Sequence, residues 1–143
     1  MFRLRLVVLF MILFVVAAVP AIGAHGEGNK LAGTAVSAAD IMGQMKAKDK
    51  AFLIDVRSFP EYKYGHIPGA INIPSPAIKI LSNRLPKDKS APIIIYARGD
   101  NYLPTNQAFD TISKMGYVNI KVFPGGMLEW HGRHFSEKKG VHP

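Results

Sequence analysis

Apolar positions along the chain fall into two alternating rhythms. Ile41, Met42 and Met45 recur at helical spacing, and Ser37 with Asp40 three residues later forms a capping-box pattern. A helix is therefore predicted over 37–48. Residues 52–56 are a short, mostly apolar run with β-branched members, predicted as a buried strand. Ser58 and Glu61 repeat the capping pattern with Pro60 placed in a first turn, predicting a short helix over 60–63 stopped by Gly65. Residues 70–73 read as a brief strand before Pro74 and Pro76, and 78–85 as a helix ended by Pro86. Residues 93–96, Ile-Ile-Ile-Tyr, are the clearest strand. A loop follows, then a helix over 105–115 with Gly116 as its stop, a strand over 119–123, and a short helix opened by Gly125-Gly126 and running through Trp130. This alternation predicts an α/β layer fold with a mainly parallel sheet covered by helices. Ligands of such sheets sit at the carboxyl ends of the strands, which points to the loop after Tyr96.

The first residues follow a different plan. Arg3 and Arg5 precede a run from Leu6 to Ala24 without a charged residue, ending in Pro20 and the small residues Ala21, Gly23 and Ala24. That is the layout of a secretory signal peptide, with cleavage expected after Gly23 or Ala24. The uncharged run also approaches the roughly 20 residues that span a bilayer, so an uncleaved anchor is the competing reading. Both place the remainder outside the cytoplasm, periplasmic or secreted, because the two arginines hold the N-terminus inside. Residues 1–24 are thus read as an export segment, 25–33 as a polar, Gly-rich linker, and 34–139 as the domain.

The chain has 143 residues, enough for one domain, and 48% hydrophobic residues, enough for a core. Its net charge is +8; without residues 1–24, 16 Lys and Arg face 10 Asp and Glu, a balance of +6. The lysines are scattered from Lys30 to Lys139 with no dense basic run, so nucleic-acid binding is not expected. There is no cysteine, which excludes disulfides, thiolate metal sites and cysteine nucleophiles.

Three stretches, in order and at fitting separation, resemble the rhodanese family. The first is Leu53-Ile54-Asp55-Val56-Arg57, followed by Glu61-Tyr62 and by Gly65-His66-Ile67-Pro68-Gly69-Ala70-Ile71-Asn72-Ile73-Pro74. The second is the 93–96 strand running into Ala97, and the third is Gly125-Gly126-Met127-Leu128-Glu129-Trp130. The resemblance covers about residues 34–135 and implies a three-layer fold with a five-stranded parallel sheet between helices. It also implies that the loop Ala97-Arg98-Gly99-Asp100-Asn101-Tyr102 corresponds to the family's anion-binding cradle, whose backbone N–H groups point inward. Active members carry a cysteine, persulfidated in turnover, where this chain has Ala97. An alanine methyl can neither attack thiosulfate nor hold a persulfide, so that transfer is not expected here. If Thr105 and Ala108 match the residues that usually open the next helix, the loop is longer than the common sulfurtransferase form.

Other residues are weighed against plainer roles. Asp55 and Arg57 are expected to organise the strand end as a buried pair, and His66 to be a hydrogen-bonded turn residue. Trp130 is expected in the core, with Gly125 and Gly126 as backbone turns. Asp100 is a replacement nucleophile on one reading, but in a cradle a carboxylate would instead fill it; Arg98 would attract an anion. Tyr102 and Leu103, if exposed, form a small contact patch. His131 and His134 lie one helical turn apart near His142, but with Gly132 between them and no carboxylate or thiolate directly beside either a metal site is not expected. A copper site at His25, were it the mature N-terminus, is weaker still. The reading that follows is an exported, non-catalytic module that binds a small anion, a sulfur species or an envelope protein. The alternative is a sulfurtransferase-related enzyme with a non-cysteine mechanism or an active partner. No cofactor is implied, and a membrane enters only if residues 6–24 stay uncleaved.

Overall fold

The computed structural model describes residues 31–48 and 50–143. Residues 1–24, read as an export segment, and most of 25–33, read as a linker, lie outside those residues. The described elements, in chain order, are β1 (Thr34–Ala35), α1 (Ala38–Lys46), β2 (Phe52–Asp55), α2 (Phe59–Tyr64), β3 (Ile71–Asn72), two 3₁₀ turns (Ser75–Ala77 and Ser82–Arg84), β4 (Ile93–Tyr96), α3 (Leu103–Lys114), β5 (Ile120–Phe123) and α4 (Gly126–Gly132).

The five strands form one sheet in the order β1-β5-β4-β2-β3, every neighbouring pair parallel. This is the sheet the resemblance implies. Both faces are covered, which is why the strands read as nearly continuous apolar runs. On one face Ile54, Ile93, Ile95, Ala97 and Val122 pack with Ala108 and Ile112 of α3 and with Ile78 and Leu85. On the other, Leu53, Ile94, Tyr96 and Phe123 pack with Ala38 and Ile41 of α1 and Met127 and Trp130 of α4. The register sets Asn72, Asp55, Tyr96 and Phe123 in one row across the carboxyl edge. The loops that leave this row make the candidate site.

Both capping boxes form. Ser37 Oγ accepts from Asp40 N while Asp40 accepts from Ser37 N. Glu61 accepts from Ser58 N and Oγ at the start of α2. Helix α3 begins two residues ahead of the predicted start, because Asn101 Oδ1 takes the Leu103 N–H and Pro104 has none to satisfy. Gly116, at φ +91, follows its end.

The helix predicted over 78–85 does not form. Its place is taken by the two 3₁₀ turns, closed by Ala77 N to Pro74 O, Arg84 N to Leu81 O and Leu85 N to Ser82 O. The apolar spacing of Ile78, Leu81 and Leu85 is real, but Pro74 and Pro76 start the segment in a tight turn. Arg84 Nη1 donates to Asn72 O at 2.7 Å, tying the far end to β3. Strand β1, in turn, has only two residues and no large apolar side chain to announce it. Packing continues on its N-terminal side, where Leu31 meets the α3 face and Ala32 N donates to Asn106 Oδ1. At the other end the chain folds back over α2. His66 and Lys138 exchange two backbone hydrogen bonds, and Gly140 N donates to Lys63 O. No described helix is long and apolar enough to cross a membrane.

Candidate functional site

The two residues that follow β4 deliver their carbonyls to the start of α4. Ala97 O accepts from Met127 N at 3.0 Å, and Arg98 O accepts from Leu128 N at 2.8 Å. This clamp explains the Gly125-Gly126 pair. Gly126 has φ +51, and a Cβ there would strike Ala97 O and the Arg98 carbonyl. Gly99 has φ +113, and a Cβ there would strike the Gly125 carbonyl. Both positions require glycine for backbone conformation and for closeness.

The loop beyond the clamp turns its side chains and its backbone to different tasks. Ala97 is buried with its methyl in the α3-side core. Arg98 Nε lies 3.4 Å from Asp100 Oδ2, with the two side chains 62% and 46% exposed. Such a pair is a weak surface contact. Asp100 therefore engages Arg98 at the surface, and no described backbone N–H donates to it, so it does not fill the cradle as the sequence suggested. Asn101 Oδ1 is taken by Leu103 N, and Tyr102 O accepts from Thr105 Oγ1 and Asn106 N. Among the described residues, no N–H from Arg98 to Tyr102 donates to another protein group. The contact patch is reduced: Leu103 is half exposed, but Tyr102 is partly buried.

Asp55 and Arg57 form the expected pair. The buried Asp55 carboxylate accepts from Arg57 Nε and Nη2 and from Arg57 N, and Nη2 also donates to Gly65 O. Burial disfavours the charged guanidinium, but the hydrogen bonds and charge of Asp55 outweigh it and raise the Arg57 pKa further. Nη1 makes no hydrogen bond among the described residues. Asn72 Nδ2 braces the same strand end through Asp55 O and Arg57 O. His66 is fully buried, stacked on Tyr62, its ring nitrogens set against Tyr62 O and His142 O.

Two hollows open around these groups. A cavity of about 320 Å³ is lined by Val56, Arg57, Ser75, Ala97, Asp100 and Asn101 with their neighbours. Ser75 is only 8% exposed, and its Oγ has no hydrogen-bond partner among the described residues. Sequence reasoning missed it. Its one signal was position, just past the carboxyl end of a strand between Pro74 and Pro76. A wider groove of about 600 Å³ is lined by Arg57, Tyr64, Arg98, Met127, Leu128 and His131, among others. Among the described residues, Ser75 Oγ has no base at hydrogen-bond distance, and Asp100 is exposed beside Arg98.

The histidines separate. His131 Nδ1 pairs with Glu137 Oε1 at 2.8 Å, a carboxylate six residues on that the sequence reading did not count as a neighbour. His134 is exposed with φ 56. Among the described residues no three His, Asp or Glu side chains are grouped to hold a metal. Trp130 lies in the core with Nε1 donating to Ser136 O.

Known proteins share this fold. Residues 37–133 match the rhodanese-like domain family. The YqhL protein of Bacillus subtilis is 37% identical over 89 residues, which are 62% of this chain and 68% of that protein. A sulfurtransferase of Allochromatium vinosum is 30% identical over 86 residues, 60% of this chain and 76% of that one. The crystal structure of the BH2092 protein from Bacillus halodurans superposes with a TM-score of 0.67 at 26% identity, covering 76% of this chain and 78% of that one. Other relatives are longer: this chain spans 48% of an HTH-type transcriptional regulator of Mycobacterium tuberculosis, 34% identical over the matched part. Motif order, parallel sheet, clamped loop and family match agree, and the chain belongs to the rhodanese-like domain family, with sulfurtransferases among its relatives.

Proposed function

We propose that this protein is an exported rhodanese-like module without sulfur-transfer catalysis of its own, and that its 97–102 loop holds a small oxyanion or anionic sulfur species. The observation that carries the reading is the loop itself. Five consecutive N–H groups, from Arg98 to Tyr102, have no protein acceptor among the described residues, while the position that matches the family's nucleophile is Ala97. Unused N–H dipoles attract an anion, and the guanidinium groups of Arg57 and Arg98 at the same cavity add to that attraction. The resemblance to a sulfurtransferase favours a sulfur oxyanion as the guest. The alternative, an enzyme using Asp100 or another group, is disfavoured because Asp100 is exposed and paired with Arg98.

Calorimetric titration with sulfate and thiosulfate tests the reading. Saturable binding in the millimolar range is expected, about 4 kcal/mol at the standard state. Asp100→Asn removes a carboxylate from the cavity wall and is expected to tighten binding severalfold. If neither form responds to either anion, the loop is not an anion cradle. Recognition of an envelope protein then becomes the better account.

A further inference from the structure

The cavity behind the loop and the groove beside it share walls. Arg57, Glu61 and Arg98 line both. The two compartments differ in chemistry. Three of the loop residues with an unused N–H, Arg98, Asp100 and Asn101, line the cavity, together with the buried Ser75 Oγ, which has no partner among the described residues, and Arg57, whose Nη1 makes no hydrogen bond there. The Arg57 side chain is 10% exposed. The groove side presents apolar surface, with Tyr64 82% exposed and Leu128 half exposed beside Met127 and Pro60. Its two carboxylates are already engaged, Glu61 by Ser58 and Glu137 by His131. At the passage between the compartments a guest meets Arg57 and Arg98, paired with Asp55 and Asp100, together with the Glu61 carboxylate.

We propose that cavity and groove are one composite site, and that its ligand is a small organic anion: an acidic head group carried on an apolar body. This rests on the anion-binding reading above and narrows it from bare inorganic ions to an amphiphilic class, such as an aryl sulfonate or carboxylate. The head sits against Ser75, Arg57 and the loop N–H groups. The body lies along Tyr64, Met127 and Leu128. A groove of about 600 Å³ that combines Pro60, Tyr64, Met127 and Leu128 with charged side chains has the size of a small-molecule site. An anion carrying no apolar body would leave that surface wet and unused.

Amide-resolved NMR titrations of the intact domain with sulfate, methanesulfonate and benzenesulfonate test the proposal. Burying one ring face in the groove is expected to make benzenesulfonate bind about tenfold tighter than methanesulfonate. Tyr64→Ser, at an exposed position, is expected to shrink that ratio. Ser75→Ala is expected to weaken both sulfonates by a similar factor. If sulfate binds and benzenesulfonate binds no better than methanesulfonate, the groove is not part of the site and the composite is overturned, while the anion reading stands. If none of the three binds, the anion reading itself has failed. Unchanged affinities in Ser75→Ala take the head group out of the cavity and overturn the proposal. So does a phenylalanine-terminated peptide that binds tighter than phenylacetate, because the site then reads a protein terminus.

Discussion

Tyr96 stands one residue before Ala97, fully buried, its hydroxyl accepting from Ile67 N at 3.2 Å. Burial first, and then the charge of Asp55, push its phenol well above the usual tyrosine range, against the opposing pull of the Ile67 N–H and of Arg57. The same causes raise Tyr62. The folded state therefore keeps these phenols neutral at a pH where the unfolded chain ionises them, near 10. Stability is full below that value and falls as pH rises above it. Thermal melts between about pH 8 and 11 are expected to show this decline, less steeply in Tyr96→Phe. At neutral pH that variant is expected to be less stable by about 1–2 kcal/mol, since Ile67 N–H loses its acceptor. An equal alkaline slope in both proteins contradicts the assignment. Single residues were unevenly legible. The roles of Asp55, Arg57, His66 and Trp130 followed from the motifs that carry them. Ser75 and the Asp100–Arg98 contact did not, because an orphaned hydroxyl and a surface pair are products of packing that no local pattern encodes.

At the scale of elements, the sequence was most informative where one short pattern closes on itself. Two capping boxes and the Ile93–Tyr96 strand appear as read. The 78–85 segment misled because a helical apolar period is also met by two tight turns that bury Ile78 and Leu85 while leaving Ile80 outside. There the prolines before the segment and the Arg84 tie to Asn72 decide, and the tie is a tertiary contact. β1 escaped because two exposed residues pair with β5 through backbone alone. The most demanding junction is between the loop after β4 and the start of α4. Gly126→Ala adds a Cβ at positive φ against the Ala97 and Arg98 carbonyls. A loss of at least about 2 kcal/mol is expected, a Tm lower by roughly 8 °C or more for a domain of this size. Gly132→Ala, with open space around the added methyl, is the control and is expected to change little. Equal melts for the two variants contradict the clamp.

At the scale of the whole molecule, the fold class and the strand end that carries the site were readable from alternation and motif order. Which residues close that site was not, because they come from distant turns. The export segment makes a separate prediction. Residues 1–24 carry a charged start and a long uncharged run, so the protein is expected in the envelope fraction. Fractionation with N-terminal sequencing checks this. A mature start at Ala24 or His25 supports cleavage, and recovery of the intact chain from the soluble cytoplasm contradicts export. The central claim is that catalysis was lost at one side chain while the loop that surrounds it was kept. Thiosulfate-to-cyanide sulfur transfer, measured side by side for the natural protein and Ala97→Cys, tests it most directly. Background rates for the natural protein and measurable turnover for Ala97→Cys are the predicted result. Robust turnover by the natural protein, abolished in Asp100→Asn, contradicts the claim of lost catalysis; no activity in a folded Ala97→Cys contradicts the claim of a kept loop.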